Sequence, residues 1–313
     1  MNRLSDALMS GRLLVTAEFL PPRGCDPEAI RTFSSMLPKV DAVVVADNPD
    51  AVRGSALSAA RILVREGRAG VILSMTTRDR NRIALFSDVL GAAALGVDAV
   101  LCMSGNHQSL GVCPQAAAAN DIDSVQFVQA IKDLVLHGFG INGKALEPRL
   151  EFQVGATAHP FLRPLELSVL RLKKKILAGA DFLLTQAVFD IGHFSEWIAR
   201  VRAAGLDKRT AIIASVLPLA SMETARDLHR VQTYGPIPEA IISRIAGAAQ
   251  PAREGAAIAV EMANCLKQMP EIRGIHVLNG GSDSLAAEVI RNLDIAEPDY
   301  PQRAAAGGYT WTT

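Results

Sequence analysis

The chain has 313 residues, 49% of them apolar, and its 32 basic residues cancel its 32 acidic ones. That is enough apolar material for one large domain or two small ones, and the lack of net charge points away from nucleic acid or a membrane surface as partner. No apolar run reaches the roughly 18 residues of a membrane span, the N-terminus lacks the apolar core of a signal peptide, and four scattered cysteines without a Cys-x-x-Cys pair predict free thiols in a reducing cytoplasm.

From the N-terminus, the first apolar run, 13–17, leads into Glu18 where an apolar residue is expected, and Pro21-Pro22 stops it. Similar short, often β-branched runs recur at 42–46, 71–75, 99–103, 150–155, 182–185, 211–217 and 274–278. Such runs fit parallel strands buried on both faces. Helical segments are predicted at 26–36, 53–66, 81–95, 124–137, 165–178, 193–204, 220–231 and 251–268, with a further short helix within 236–251. The strand spacing is about 30 residues, one βα unit. Eight strands and eight helices in alternation predict a (β/α)8 TIM barrel over 1–299 with an insertion after strand four, at 104–149, and a flexible tail at 300–313. An open doubly wound sheet is the main alternative. The missing Gly-x-Gly-x-x-Gly after strand one weakens its dinucleotide-binding version.

The ends of these strands turn polar one after another: Glu18, Asp47-Asn48, Thr76-Thr77-Arg78-Asp79, Ser104-Gly105-Asn106-His107, Thr157 to His159, Thr185-Gln186 and Asn279. In a barrel these ends form one face, where active sites sit. Strands also turn polar simply on reaching the surface, so no one of these residues carries the reading alone. Glu18 stands out because Phe19 and Leu20 follow it. A carboxyl desolvated by apolar neighbours holds its proton to higher pH, which suits a general acid.

Three other signals are weaker. Gly138 to Lys144 has the spacing of a phosphate-binding loop, but Ala145 stands where Ser or Thr would hold a magnesium ion, and a helix precedes the stretch instead of a strand. It reads as a turn. Lys173-Lys174-Lys175 lies on a helix, where adjacent side chains point about 100° apart, so one or two at most could meet one phosphate. His107 and His159 lie on different loops without a metal-ligand pattern, and no metal is predicted.

Glu18-Phe19-Leu20-Pro21-Pro22-Arg23 resembles the opening motif of the methylenetetrahydrofolate reductase family. Further matches follow in order: Ser104 to His107, His159-Pro160, Leu172 to Lys175 with Ala178 to Asp181, Thr185-Gln186 with Phe189-Asp190, Leu217-Pro218 and Leu278-Asn279. The likeness runs over roughly residues 12–295. It implies the same barrel and a non-covalent FAD that carries hydride between 5,10-methylenetetrahydrofolate and 5-methyltetrahydrofolate, in the one-carbon metabolism that feeds methionine biosynthesis. It implies that Glu18 is the general acid, with Asn106 beside it in the catalytic group. Gln186 would hold the pterin, and Met222 would be a second substrate contact. Thr76, Ser104, Gly105, Asn106, His159, Arg171, Lys174 and Lys175 would bind FAD, with Lys175 near the diphosphate. NAD(P)H or another carrier would exchange the electrons, and the protein would be a cytoplasmic homo-oligomer.

Departures from the family pattern carry expectations of their own. Asn106 replaces an aspartate close to the flavin, which removes a negative charge and predicts a higher flavin potential and a bias toward methyltetrahydrofolate oxidation. Ser74 replaces a histidine on strand three, Gly155 a tyrosine after strand five, Met222 a ligand-stacking phenylalanine after strand seven, and Gly280 an arginine that meets the folate tail. These weaken the case for NADH as direct donor and raise that for an accessory protein subunit. The competing readings are a folate- or flavin-binding subunit of a methyl-transfer complex, and an unrelated barrel lyase or aldolase.

Overall fold

The computed structural model of the chain describes residues 3–110, 113–140, 143–146, 150–231 and 234–295. Eight parallel strands close into a barrel in sequence order: β1 Leu14–Phe19, β2 Ala42–Val45, β3 Gly70–Thr76, β4 Ala99–Met103, β5 Gln153–Ala158, β6 Phe182–Ala187, β7 Ala211–Val216 and β8 Ile272–Val277. The helices are α1 Arg3–Met9, α2 Pro27–Met36, α3 Ala56–Glu66, α4 Arg82–Ala94, α5 Ser124–His137, α6 Leu165–Leu177, α7 Ile191–Ala203, α8 Met222–Val231, α9 Glu239–Ala246, α10 Pro251–Leu266 and α11 Asp283–Arg291. The predicted tail, 300–313, and the boundary at 299 lie outside the described residues, as do Ile141 and Asn142 of the glycine-lysine stretch.

Two expectations need correction. Strand five spans Gln153–Ala158 rather than 150–155. Its pairing starts where Ala99 meets Gln153, and its small residues Gly155, Ala156 and Ala158 have little strand propensity to announce it. Gly155 is therefore within the strand and not after it. A Cβ there would lie 2.3 Å from the Phe182 ring, which fills that part of the barrel interior. The helix set also grows: α8 to α10 after β7 match the predicted segments at 220–231, within 236–251 and at 251–268, but α11, which follows β8, was not predicted. The short α1 was not predicted either. It closes the bottom of the barrel, packing Leu4 and Ala7 against Leu14, Ala42, Ile72, Ala99 and Phe182.

Side chains alternate along each strand, as the two-residue period requires. On β1, Val15, Ala17 and Phe19 face the helices, which leaves Leu14, Thr16 and Glu18 facing the barrel interior. The interior is apolar at the bottom and polar toward the strand C-termini, where Ser74, Thr76, Thr185 and His276 are buried.

Register is set at the bottom by a threefold device. Asp41, Asp98 and Asp181 each stand directly before a strand. Their carboxylates accept the backbone N–H of Val15, Val71 and Val154 respectively, each at 2.8 Å. Each aspartate's own N–H donates back to the carbonyl of the same valine, at 2.7–2.9 Å. Cationic or backbone donors complete the shell: Arg12 at Asp41, the Arg3 N–H at Asp98 and Lys132 at Asp181. Removing such a carboxylate leaves buried donors without acceptors, at about 1–3 kcal/mol each. Asp98→Ala, which orphans the N–H groups of both Val71 and Arg3, should lower unfolding free energy by at least about 2 kcal/mol in urea titration.

Candidate active site

The strand C-termini surround a pocket of about 230 Å³. A larger cavity, about 350 Å³, opens at the opposite end between α2 and α3 and touches none of the strand C-termini. Lining the upper pocket are Glu18, Thr76, Ser104, Gly105, Asn106, His159, Lys175 and Gln186. Eight of the predicted site residues thus come together from five strand ends and one helix.

Glu18 is 8% exposed. Its Oε2 accepts the Asn279 backbone N–H at 3.0 Å, across the β8–β1 seam. Burial pushes its pKa up to about 7; the Asn279 bond and Arg53 oppose the shift, and Asp50 adds to it. Arg53 is itself engaged by Asp50 and by the Pro21 carbonyl at 2.9 Å. Below Glu18 on the same strand, Thr16 Oγ1 lies 2.9 Å from His276 Nδ1. Burial depresses the His276 pKa to about 4, so its imidazole is neutral.

Gln186 owes its placement to an irregularity between β6 and β7, where the register shifts between Leu184 and Ala187. Such bulges re-aim side chains next to sites. Thr185 locks this one: its Oγ1 donates to the Gln186 carbonyl at 2.7 Å and accepts the Ser215 N–H at 3.0 Å, while Ser215 Oγ donates to the Thr185 carbonyl at 2.6 Å.

On the opposite wall, Thr76 gives both its N–H and its hydroxyl to Asp47, each at 2.9 Å, and Arg80 neutralises Asp47. Arg78 Nη1 donates to the Asn106 carbonyl at 3.1 Å. Ser104 Oγ donates to Ser124 Oγ at 3.0 Å. Gly105 has φ +77, and a Cβ on it would come within 3.2–3.4 Å of Arg78 and Thr76 side-chain atoms, so glycine lets the chain after β4 pack against them.

Lys175 is buried and has no carboxylate partner among the described residues. Its Nζ donates to the Thr157 carbonyl at 2.6 Å and lies 3.3 Å from Thr157 Oγ1. Burial lowers its pKa to about 8. A buried cation without a counterion favours an anionic ligand. His159 opens to solvent on one edge, but the protein packed around the rest of the ring, with Lys175 and Arg171 beside it, favours the neutral imidazole. Arg171 lines an adjoining crevice with His159 and Lys175. A diphosphate fits this donor set.

Two predicted residues are not brought to the pocket. Lys174 is exposed, because the helix turn that buries Lys175 carries its neighbour outward. Met222 opens α8 and packs on the cluster of Ala187, Phe189, Leu217 and Ile242. At Gly280 the backbone has φ +62, and a Cβ would sit 2.5 Å from the Pro218 carbonyl oxygen. An arginine could not occupy this position without moving the chain. Ser124, Tyr234 and His276 are polar pocket residues that the sequence did not single out, and Arg78 and Thr157, expected only as polar strand ends, also line it. Among the described residues no three His, Cys, Asp or Glu side chains gather as a metal site, and no helix is long and apolar enough to cross a membrane.

Comparison with known proteins aligns residues 3–294 with the family model for methylenetetrahydrofolate reductase. Methylenetetrahydrofolate reductase 2 of Saccharomyces cerevisiae is 30% identical over 160 residues, which is 46% of this chain and 25% of the yeast protein. The chain thus matches about a quarter of that relative's length. The 5,10-methylenetetrahydrofolate reductase of Pectobacterium carotovorum is 24% identical over 226 residues, 69% of this chain and 68% of that protein. Among solved structures, a Clostridium thermocellum protein described as binding two copies of 5-methyl-5,6,7,8-tetrahydrofolic acid superposes with a TM-score of 0.67 at 14% identity, covering 92% of this chain and 98% of that one. At that identity the likeness speaks for the fold.

The raised pKa of Glu18 has a stability consequence. The folded state binds the proton more tightly than the unfolded chain, so this contribution is complete below the unfolded value of 4.5 and is lost as pH rises through about 7. Over that window wild type should lose about 3 kcal/mol relative to Glu18→Gln. Paired urea titrations at pH 4 and pH 9 should show the variant gaining on wild type by roughly that amount.

Proposed function

The chain belongs to the methylenetetrahydrofolate reductase family, and from that premise we propose that it is an FAD-dependent oxidoreductase interconverting 5,10-methylenetetrahydrofolate and 5-methyltetrahydrofolate. The observation that carries this reading is the pairing, in one pocket, of a buried carboxyl with a pKa near 7 and a buried lysine without a carboxylate partner. Lys175, with Arg171 and His159 at its side, would hold the diphosphate of FAD. Thr76, Ser104 and Gly105 would line the flavin ring. Bound flavin supplies the hydride chemistry.

Glu18 moves the proton. With a pKa near the working pH it exchanges a proton readily in both directions. In reduction it protonates N10 of the substrate as the five-membered ring opens. In oxidation its carboxylate takes that proton back as N10 closes the ring. Gln186, fixed by the Thr185–Ser215 lock, orients the pterin by hydrogen bonding.

Asn106 sets the direction. It lines the pocket as a neutral amide, so the negative charge that an aspartate at this position would set against reduced flavin is missing. At an effective dielectric of about 20, a unit charge about 4 Å away is worth roughly 4 kcal/mol before screening. A higher flavin potential follows, and with it a bias toward oxidation of 5-methyltetrahydrofolate. NAD(P)H or another carrier completes the electron balance. A binding subunit of a methyl-transfer complex is the second reading, favoured by the bare backbone at Gly280.

Glu18→Gln separates the roles. It should retain FAD and its chemical reduction while losing at least a hundredfold in the rate of hydride exchange with folate. Unchanged folate turnover would remove Glu18 from the mechanism. Loss of folate turnover in the wild type itself, with folate binding kept, would move the reading to the binding subunit. Asn106→Asp should lower the flavin midpoint potential in spectroelectrochemical titration. A wild-type potential at or below that of the variant would contradict the directional bias.

A further inference from the structure

Tyr234 is the one phenylalanine, tyrosine or tryptophan that lines the pocket among the described residues. It arrives from the connection between α8 and α9, not from a strand end, and its position is clamped. Its carbonyl accepts the Ala187 N–H at 2.8 Å, next to Gln186. Gly235 follows with φ +104, and a Cβ there would lie 3.3 Å from the Ala187 carbonyl oxygen and 3.4 Å from both Gln186 Cβ and Phe161 Cδ2. The turn is therefore pressed onto the end of β6 in a conformation that glycine permits. Two residues on, the Ile237 N–H donates to His229 Nδ1 at 3.2 Å and the Ile237 side chain is buried, which ties down the other side of the turn.

Tyr234 and Glu18 line the same pocket. The carboxylate of Glu18 is the largest influence raising the Tyr234 pKa, ahead of burial and Asp50, with Arg53 opposing. No hydrogen bond joins Tyr234 to Glu18, so the two bound the same space without closing it. Gln186 borders that space beside the Tyr234 backbone. A hydrogen-bonding amide, a proton-exchanging carboxyl and one flat apolar face are the complement of a reduced pterin, which carries polar atoms around its edge and needs an apolar surface for its face.

Resting on the folate reading above, we propose that Tyr234 is a substrate-contacting residue whose ring forms the wall against which the pterin lies, while Glu18 and Gln186 take the pterin's polar edge. It is a specificity element for bicyclic ring ligands. The residues assigned to the diphosphate, Lys175, Arg171 and His159, share an adjoining crevice that Tyr234 does not line, so flavin retention should not depend on Tyr234.

The test is equilibrium binding of 5-methyltetrahydrofolate to purified protein reduced beforehand with dithionite, so that no turnover occurs. Tyr234→Leu should bind at least tenfold more weakly than wild type, and Tyr234→Phe within threefold of it, with flavin content and thermal midpoint unchanged in both. Wild-type affinity in Tyr234→Leu overturns the proposal and leaves the folate reading standing. Equal losses in the Leu and Phe variants, or loss of flavin with folate affinity kept, also overturn it. A wild type that binds no folate overturns both. Should the Leu variant fail to fold, wild type answers alone. The chain has three tyrosines, so ring-labelled tyrosine gives three NMR signals. The one missing from Tyr234→Phe should move upfield when 5-methyltetrahydrofolate is added. A signal that stays in place overturns the proposal.

Discussion

The parallel register of the barrel governs everything at its mouth, and three aspartates at its floor hold that register. Asp41, Asp98 and Asp181 each bind one valine of the preceding strand twice, through carboxylate and backbone N–H. A slip of one residue would exchange the inward and outward faces of a strand. It would also turn Thr16 and Glu18 toward the helices. With register held, β1 and β8 meet so that the Asn279 N–H reaches Glu18. The acid is thus placed by barrel closure and not by a loop.

The mouth is built at a cost in stability. Ionised Glu18 and charged Lys175 are both buried, and neither has an opposite charge in direct hydrogen-bonded contact among the described residues. Their pKa values move toward neutrality from opposite sides, the carboxyl up and the ammonium down, with burial as the main cause in each. Sites that exchange protons and bind anions carry this signature. Elsewhere the pocket's charges are paired: Asp47 with Arg80, Arg78 with Asp79, and Asp50 with Arg53. The two that are not are those a proton-accepting substrate and a diphosphate would satisfy.

The barrel is legible in the sequence because its strands are short apolar runs at βα spacing. Strand four and the helix from Ser124 to His137 are readable to the residue. That helix begins at a capping box of Asp123 and Gln126 and ends at Gly138 in the left-handed region. Glu18 is legible as an acid where apolar residues are due. Strand five is misplaced because its residues are small, and α1 and α11 escape because each is only two or three turns of ordinary amphipathic sequence. The constraint at Gly280 depends on the Pro218 carbonyl, a contact between two loops. Tyr234 belongs to the same class, since the turn that carries it enters the site through packing on β6. Asp41 and Asp98, directly before the apolar runs of β2 and β4, are visible in the sequence, but their meaning needs the pairing pattern.

The central claim is that one pocket holds a flavin and exchanges hydride with a folate under the control of Glu18. The most direct measurement is the visible spectrum of the purified protein during anaerobic addition of 5-methyltetrahydrofolate. Oxidised-flavin absorbance that bleaches in wild type and persists in Glu18→Gln is the predicted result. A protein that cannot be loaded with FAD, or a flavin that bleaches equally in both, would contradict the account.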